Sequence, residues 1–213
     1  MGVLAELLDL ALPAGCICCH RPGSVWCPGC QPPSVGQPVG PGVFAAGEYA
    51  GDLRTALVHY KERGRRPLGP PLAGYLADAV DAAARAAAVP APVLVPVPSR
   101  RSAARQRGGD HMLRLARAAA RQLGVSVQPV LRLSGPVLDS VGLDHARRRA
   151  NLAGRMRADP ARAGSRVAVV VVDDITTSGT SLAEAQRALT AAGWPVAGSA
   201  VIAWVRRAGP ASA

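Results

Sequence analysis

An apolar run followed by two acidic residues and a turn of small residues is the feature that most constrains this chain. It reads VVVVDDITTSGTS and occupies residues 169–181. Four consecutive valines predict a strand buried on both faces, because no polar residue alternates with them. Asp173 and Asp174 follow the valines, and after the turn LAEAQRALTAAG predicts a helix that Gly193 ends. The predicted unit is therefore a strand, an acid pair, an anion-binding loop and a helix.

The turn after the acid pair suits a phosphate group. Its backbone N–H groups and hydroxyls can donate hydrogen bonds to a phosphate, and the positive end of the dipole of the following helix attracts the negative charge. Two adjacent carboxylates can accept hydrogen bonds from a vicinal diol, such as the 2′ and 3′ hydroxyls of ribose. The pattern contains neither GxxxxGK[ST] nor GxGxxG, and it predicts a ribose 5-phosphate ligand. The alternative interpretation is an ordinary acidic strand end before a capped helix.

The same residues resemble the binding motif for 5-phosphoribosyl 1-pyrophosphate (PRPP) in type I phosphoribosyltransferases. That resemblance implies that Asp173 and Asp174 are catalytic and hold the ribose hydroxyls. The residues that it assigns to the 5-phosphate are Thr176, Thr177, Ser178, Gly179, Thr180 and Ser181. Ser178 stands where many members of that family have Gly or Ala.

All five cysteines lie close together near the amino terminus. Four of them form two C-x2-C pairs, which seven residues separate: Cys16 with Cys19 and Cys27 with Cys30. Two such pairs can place four thiolates around a structural Zn²⁺. Disulfides are disfavoured, because nothing else in the sequence suggests export. Cys18 is left over, and the alternative that Cys18 or His20 replaces one ligand stays open.

Length, charge and hydrophobicity limit the class of protein. A chain of 213 residues can bury one good core with a small appendage. It has no apolar run near twenty residues and no basic region at its start, so we expect a cytoplasmic protein without membrane insertion. The net charge of +11 fits a phosphate ligand and permits nucleic-acid binding. Seven aromatic residues are few for a platform that stacks single-stranded bases.

Hydrophobic periodicity and turn residues predict the remaining elements. They are strands at residues 43–49, 93–99, 127–133 and 196–205, and helices at 52–63, 71–88 and 111–123. Residues 31–42 are rich in Pro and Gly and predict a linker. The only lysine, Lys61, lies at the end of a predicted helix in a chain that otherwise uses arginine. Either it has a specific role, or it is a solvated cation at a helix end.

Two further segments are candidates for ligand contact. The segment RRSAARQRGGD follows the strand predicted at residues 93–99, and arginines and glycines at the carboxyl end of a parallel strand suit a pyrophosphate. The candidates there are Ser99, Arg100, Arg101 and Arg107, with a solvated charge run as the alternative. A long polar segment at residues 134–156 can cover the ligand, and within it Arg147 is a candidate catalytic charge stabiliser.

Taken in order, these segments resemble the ComF family of competence-associated, phosphoribosyltransferase-like proteins over nearly the whole chain. The resemblance rests on the cysteine pairs, EYAGDLRTALVHYKERG, VPVPSRRSAARQRG, LDHARRRANLAGRM and the PRPP motif. Departures are His20 after the second cysteine and GGDH after Arg107. It implies an amino-terminal helix and zinc element with a linker at residues 1–40, a phosphoribosyltransferase-like domain at 41–207 and a disordered tail at 208–213. The implied domain is α/β, with a mostly parallel sheet and helices on both faces.

Two functions follow from the resemblance. The first is a phosphoribosyltransferase, which is a glycosyltransferase, that binds PRPP with Mg²⁺ and releases pyrophosphate; the sequence names no acceptor. The second is a non-catalytic accessory of DNA uptake or DNA repair that binds single-stranded DNA or a helicase. Whether the chain is an enzyme is left open, because fold alone does not decide function.

Overall fold

A mostly parallel sheet with helices forms the frame of the protein. The structure is a computed structural model, and it describes residues 15–99, 110–134, 154–161 and 167–206. The strands are β1 (Gln37–Gly40), β2 (Val43–Glu48), β3 (Val93–Pro96), β4 (Leu131–Leu133), β5 (Met156–Ala158), β6 (Val169–Thr176) and β7 (Val196–Trp204). The helices are α1 (Gly51–Glu62), α2 (Gly69–Ala86), α3 (His111–Leu123) and α4 (Thr180–Ala191), with short 3-10 turns at Pro28–Cys30 and Arg66–Leu68. The predicted mixed α/β architecture is confirmed.

The central sheet has the strand order β1-β2-β7-β6-β3. Only β1 is antiparallel to its neighbour; β2, β7, β6 and β3 are parallel to one another. β4 and β5 form a separate antiparallel pair. β6 lies inside the sheet between β7 and β3, which is why four consecutive valines can be buried there.

The valines of β6 alternate between two hydrophobic clusters. Val170 and Val172 pack with residues of α1, α2 and α3, whereas Val169 and Val171 pack with residues of α4 and the β4–β5 pair. The sheet thus has helices on both faces. None of the helices in the described residues combines the length and the apolar character that crossing a membrane requires.

Three elements differ from the sequence predictions. Residues 31–42 are not simply a linker, because β1 lies within them and pairs with β2. The strand predicted at residues 127–133 is reduced to β4 and a single bridge between Val127 and Leu94. β6 continues past the valines to Thr176, so both acidic residues lie within the strand. The predicted amino-terminal helix and the tail at residues 208–213 lie outside the described residues.

The cysteine-bearing segment packs against the rest of the molecule. Trp26 is 1% exposed, and its ring stacks on that of Tyr75 of α2 at 5.6 Å between centroids. The Tyr75 hydroxyl donates to the backbone oxygen of Pro32, and Ser34 donates to Asp78. Trp26 and Cys16 belong to the same hydrophobic cluster as α1, α2 and α3. The segment is therefore continuous with the main core.

Candidate active site

Asp173 and Asp174 lie in the last part of β6, at its carboxyl end. The strand pairs with β7 from Val170 to Thr176, so successive side chains leave it in different directions. Asp174 is only 4% exposed, and it lies on the side of the sheet where α1 and α3 pack. Asp173 is partly exposed. The two carboxylates are thus adjacent in sequence but occupy different environments.

Two basic side chains contact Asp174. Lys61 at the end of α1 places its Nζ 2.7 Å from Oδ2, and His111 at the start of α3 places its Nε2 2.9 Å from the same oxygen. Asp174 and His111 are buried, and the Lys61 side chain is 30% exposed. The sequence left two interpretations of Lys61, a specific role or a solvated cation at a helix end. The structure favours the first, because Lys61 pairs with an acidic residue of the predicted site.

Their surroundings shift the pKa values of the two acids in opposite directions. For Asp173, burial and the neighbouring Asp174 charge raise the pKa to about 8. For Asp174, burial acts in the same direction, but the Lys61 ammonium and the His111 hydrogen bond outweigh it and hold the pKa well below its usual range. Asp174 is therefore the permanently charged member of the pair.

A hydrogen-bonded chain connects Asp174 to the end of β3. His111 Nδ1 lies 3.2 Å from Ser99 Oγ, and Ser99 Oγ lies 3.0 Å from Asp110 Oδ1. The same Asp110 oxygen accepts from the backbone N–H groups of Met112 and Leu113, so Asp110 is the N-cap of α3. Ser99 and Asp110 flank residues 100–109. Ser99 and Asp110, the described residues that flank this segment, are consequently linked to Asp174 through His111.

The loop between β6 and α4 has the properties of an anion site. Gly179 has φ +74°, a left-handed conformation that favours glycine, and α4 begins at Thr180. The N-cap residue is Gly179, which has no side chain, and the Thr180 N–H donates to Ser178 Oγ at 3.4 Å. Ser178 Oγ lies 2.8 Å from Thr180 Oγ1. Beside the loop lies a cavity of about 520 Å³, lined on its other sides by the β1–β2 turn and Trp204.

The four cysteines of the two C-x2-C pairs form a compact cluster. The sulfurs of Cys16, Cys19, Cys27 and Cys30 all lie within 4.8 Å of one another, and none of the five cysteines is in a disulfide. Burial tends to raise the pKa of Cys16, but hydrogen bonds from backbone N–H groups, that of Cys27 foremost, lower it to about 6. The thiolate is the form that binds metal. The cluster is compatible with the predicted structural zinc.

The structure brings together some of the predicted residues and leaves others outside its described part. Asp173, Asp174, Ser99 and the loop at residues 176–181 lie at the carboxyl ends of neighbouring strands. Arg100, Arg101, Arg107 and Arg147 lie outside the described residues. No pattern in the sequence assigned His111 or Asp110 to the site. The sequence signal for Asp110 was its position directly before a predicted helix with an apolar face, where a typical N-cap residue stands.

No family model and no curated protein matches this chain.

Proposed function

We propose that the protein binds PRPP and transfers its phosphoribosyl group to an acceptor, with release of pyrophosphate. The observation that carries this proposal is the acid pair of β6, followed directly by the Gly179 turn at the start of α4. Carboxylates suit a ribose diol and the helix start suits a phosphate, and a single strand–loop–helix unit presents both. The resemblance to the PRPP motif supports the same assignment.

The two acids have different roles in this proposal. Asp173, which is partly exposed, accepts a hydrogen bond from one ribose hydroxyl. Asp174 uses Oδ2 for Lys61 and His111, and we assign its Oδ1 to the second hydroxyl. Lys61 and His111 are then positioning residues: they keep Asp174 ionised and fix its orientation, so that less conformational entropy is lost when the sugar binds.

The loop at residues 176–181 holds the 5-phosphate in this proposal. Backbone N–H groups at the start of α4 donate to the phosphate oxygens, and the hydroxyls of Thr177, Ser178 and Thr180 add further donors. A Cβ at Gly179 would meet no atom within 4 Å, so glycine is needed there for its backbone conformation and not for space. The cavity of about 520 Å³ beside the loop gives the ligand room.

Transfer requires stabilisation of the departing pyrophosphate. The bond from C1 of the ribose to the pyrophosphate oxygen breaks, the acceptor forms a new bond to C1, and the acceptor loses a proton. Negative charge grows on the leaving group, and Arg100, Arg101 and Arg107 follow Ser99, whose hydroxyl is held by Asp110. Cations that meet this growing charge lower the barrier. We propose the same role for Arg147.

Mg²⁺ is the cation expected to accompany the pyrophosphate. It prefers one or two carboxylates together with phosphate oxygens. Asp173 is the candidate ligand, because it is the partly exposed member of the pair and would give up its proton when the cation binds, whereas the Lys61 ammonium already neutralises Asp174. When bound, Mg²⁺ would reduce the negative charge of the diphosphate.

Calorimetric titration with PRPP and Mg²⁺ tests the binding step. We expect saturable binding to the parent protein and loss of at least about tenfold in affinity, about 1.4 kcal/mol, for both Asp173→Asn and Asp174→Asn. Asp81→Asn is the matched control, because the Asp81 side chain is 46% exposed and pairs with Arg85 of the same helix. If the parent protein binds PRPP, acceptor bases are then screened for pyrophosphate release. Equal affinity in parent and both site variants would contradict the assignment.

A non-catalytic role with single-stranded DNA or a helicase is the second candidate. The observation that favours it is basic charge: the chain has a net charge of +11, and Arg117 and Arg121 are exposed on α3. DNA affinity that falls steeply with salt, together with no PRPP binding, would favour this candidate over the transferase.

A further inference from the structure

The fifth cysteine belongs to a second group of possible metal ligands. The sulfurs of Cys18 and Cys30 and a carboxylate oxygen of Asp52 all lie within 4.8 Å of one another. Cys30 is at the same time one of the four cysteines of the predicted zinc cluster. Asp52 comes from the first turn of α1, so the group joins the cysteine segment to the main domain. Cys30 is thus common to two adjacent sets of ligand atoms.

The charges around Cys30 favour a second cation. Four thiolates around one Zn²⁺ leave two negative charges in excess, and the Asp52 carboxylate adds a third. A sulfur that binds one metal ion keeps lone pairs with which it can bind another. A thiolate shared between two metal ions would therefore lower the repulsion among the sulfurs and Asp52.

A cavity provides room and access at this group. It has a volume of about 630 Å³, and Cys30 and Asp52 both line it. Glu48 lines it as well, with its carboxylate paired to Arg206 at 3.0 Å. A cation that reaches Cys30 and Asp52 through this cavity can keep water as a remaining ligand. The ligand atoms and the route from solvent that a metal site needs are therefore present together.

We propose that Cys18, Cys30 and Asp52 form a second site for a thiophilic divalent cation, with the Cys30 sulfur bridging to the zinc cluster. Sulfurs at about 2.3 Å from one tetrahedral ion lie about 3.8 Å apart, which the observed spacing of at most 4.8 Å permits with small side-chain rotations. The Cys18 thiol loses its proton to solvent when the cation binds. Thiolate ligands select soft cations such as Zn²⁺ or Cd²⁺ over Mg²⁺ or Ca²⁺.

Cadmium titration of the full chain tests this site. The protein is purified under reducing conditions, loaded with ¹¹³Cd²⁺ and dialysed, and bound metal is counted by elemental analysis and by ¹¹³Cd NMR. We expect two equivalents in the parent protein, with two resonances that couple through the shared sulfur. Cys18→Ser and Asp52→Asn should each retain one equivalent and one resonance, and Asp81→Asn should retain two.

Circular dichroism of each loaded variant establishes that it is folded, and a count of one in a folded variant locates the second ion. One equivalent in the parent protein overturns the proposal. It is also overturned if either Cys18→Ser or Asp52→Asn keeps the second equivalent. The readout is metal stoichiometry, so the result does not depend on whether the protein binds PRPP.

Discussion

At the residue scale, Asp173 lies in the candidate site and lowers the stability of the fold when it is ionised. Burial and the charge of Asp174 raise its pKa to about 8, above the value of about 3.9 for an unfolded aspartate. Between these two pH values the folded state keeps a proton on Asp173 that the unfolded state has released. The contribution of this proton to stability is complete below pH about 4 and is lost as the pH rises through about 8. Asp173→Asn keeps the Oδ1 acceptor for the Asp174 N–H and removes the titration.

We expect Asp173→Asn to be more stable than the parent protein at pH 8, by about 2 kcal/mol, and nearly equal to it at about pH 4. Thermal unfolding at several pH values measures the difference. Asp81→Asn, an exposed control, should differ from the parent by less than about 0.5 kcal/mol at every pH. A stability difference for Asp173→Asn that does not grow with pH would show that Asp173 titrates normally.

The contribution of Asp174 to stability depends on pH in the opposite direction. Lys61 and His111 hold its pKa below the usual range against the effect of burial, so its contribution to stability is present above the unfolded pKa and is lost as the pH falls. Asp174→Asn leaves the Lys61 ammonium beside a neutral group, and Lys61→Met leaves a buried carboxylate without its ion pair. We expect each variant to lose about 2 kcal/mol in urea unfolding at pH 7.

The double variant Lys61→Met with Asp174→Asn measures the coupling of the pair. Its loss of stability should be smaller than the sum of the single losses by at least about 1 kcal/mol, because the second change removes a charge that the first left unpaired. Strict additivity would mean that the contact of 2.7 Å contributes nothing to stability.

At the residue scale, the acid pair was predictable, because two carboxylates after four valines are a local pattern in the sequence. The contacts of Asp174 were not predictable from local sequence. Lys61 and His111 lie 113 and 63 positions away from it, and only the packing of α1 and α3 on the same face of the sheet brings them together. The unusual single lysine indicated a special residue but not its partner.

At the scale of elements, the cap of α3 contacts both the helix start and Ser99, which precedes the proposed pyrophosphate-binding segment. Asp110 accepts from two backbone N–H groups of α3 and also contacts Ser99. We expect Asp110→Ala to lose about 1 kcal/mol of stability through the cap. It should also weaken PRPP binding more than ribose 5-phosphate binding, because only PRPP carries the pyrophosphate that residues 100–107 are proposed to contact.

Asp110→Ser is the matched control, because serine is also a good N-cap. It should recover most of the stability, which chemical denaturation measures, and calorimetry with both ligands measures the selectivity. If Asp110→Ala weakens PRPP and ribose 5-phosphate equally, the cap does not act on the pyrophosphate end of the site.

The elements that the sequence predicted best are those with strong periodicity. α3 has the predicted bounds, and β7 and α1 differ from the prediction by a residue or so. β1 could not be predicted, since QPVG has the composition of a loop and becomes a strand only because β2 offers it hydrogen bonds. β4 is three residues long and depends on β5, which is distant in sequence. Short strands of this kind are specified by their partners rather than by propensity.

At the scale of the whole molecule, the cysteine segment and the site share one hydrophobic core. Cys16 and Trp26 pack in the same cluster as Leu57 of α1, Leu115 of α3 and Val172 of β6. α1 has Asp52 near Cys18 at its first turn and Lys61 at its last. The sequence predicted a cysteine element that relies on metal, and it could not predict that this element packs against the helices that reach the site.

This shared core leads to a prediction about metal removal. If zinc orders the cysteine cluster, then chelation disorders the surroundings of Trp26 and removes its stacking on Tyr75. Because these residues belong to the main core, we expect the whole described domain to lose stability, and not only the amino-terminal segment. A loss of about 3 kcal/mol would lower the Tm by roughly 6–12 °C for a chain of this size.

Thermal unfolding with and without a zinc chelator measures the shift, followed both by tryptophan fluorescence and by far-ultraviolet circular dichroism. The parent protein should show one transition by both probes, which moves down with the chelator, and Cys27→Ser should unfold at the lower temperature in either condition. Re-addition of Zn²⁺ should restore the parent protein and leave Cys27→Ser unchanged. If the fluorescence transition moved while the circular dichroism transition stayed in place, the cysteine segment would unfold independently, and its packing on α2 would not stabilise the sheet.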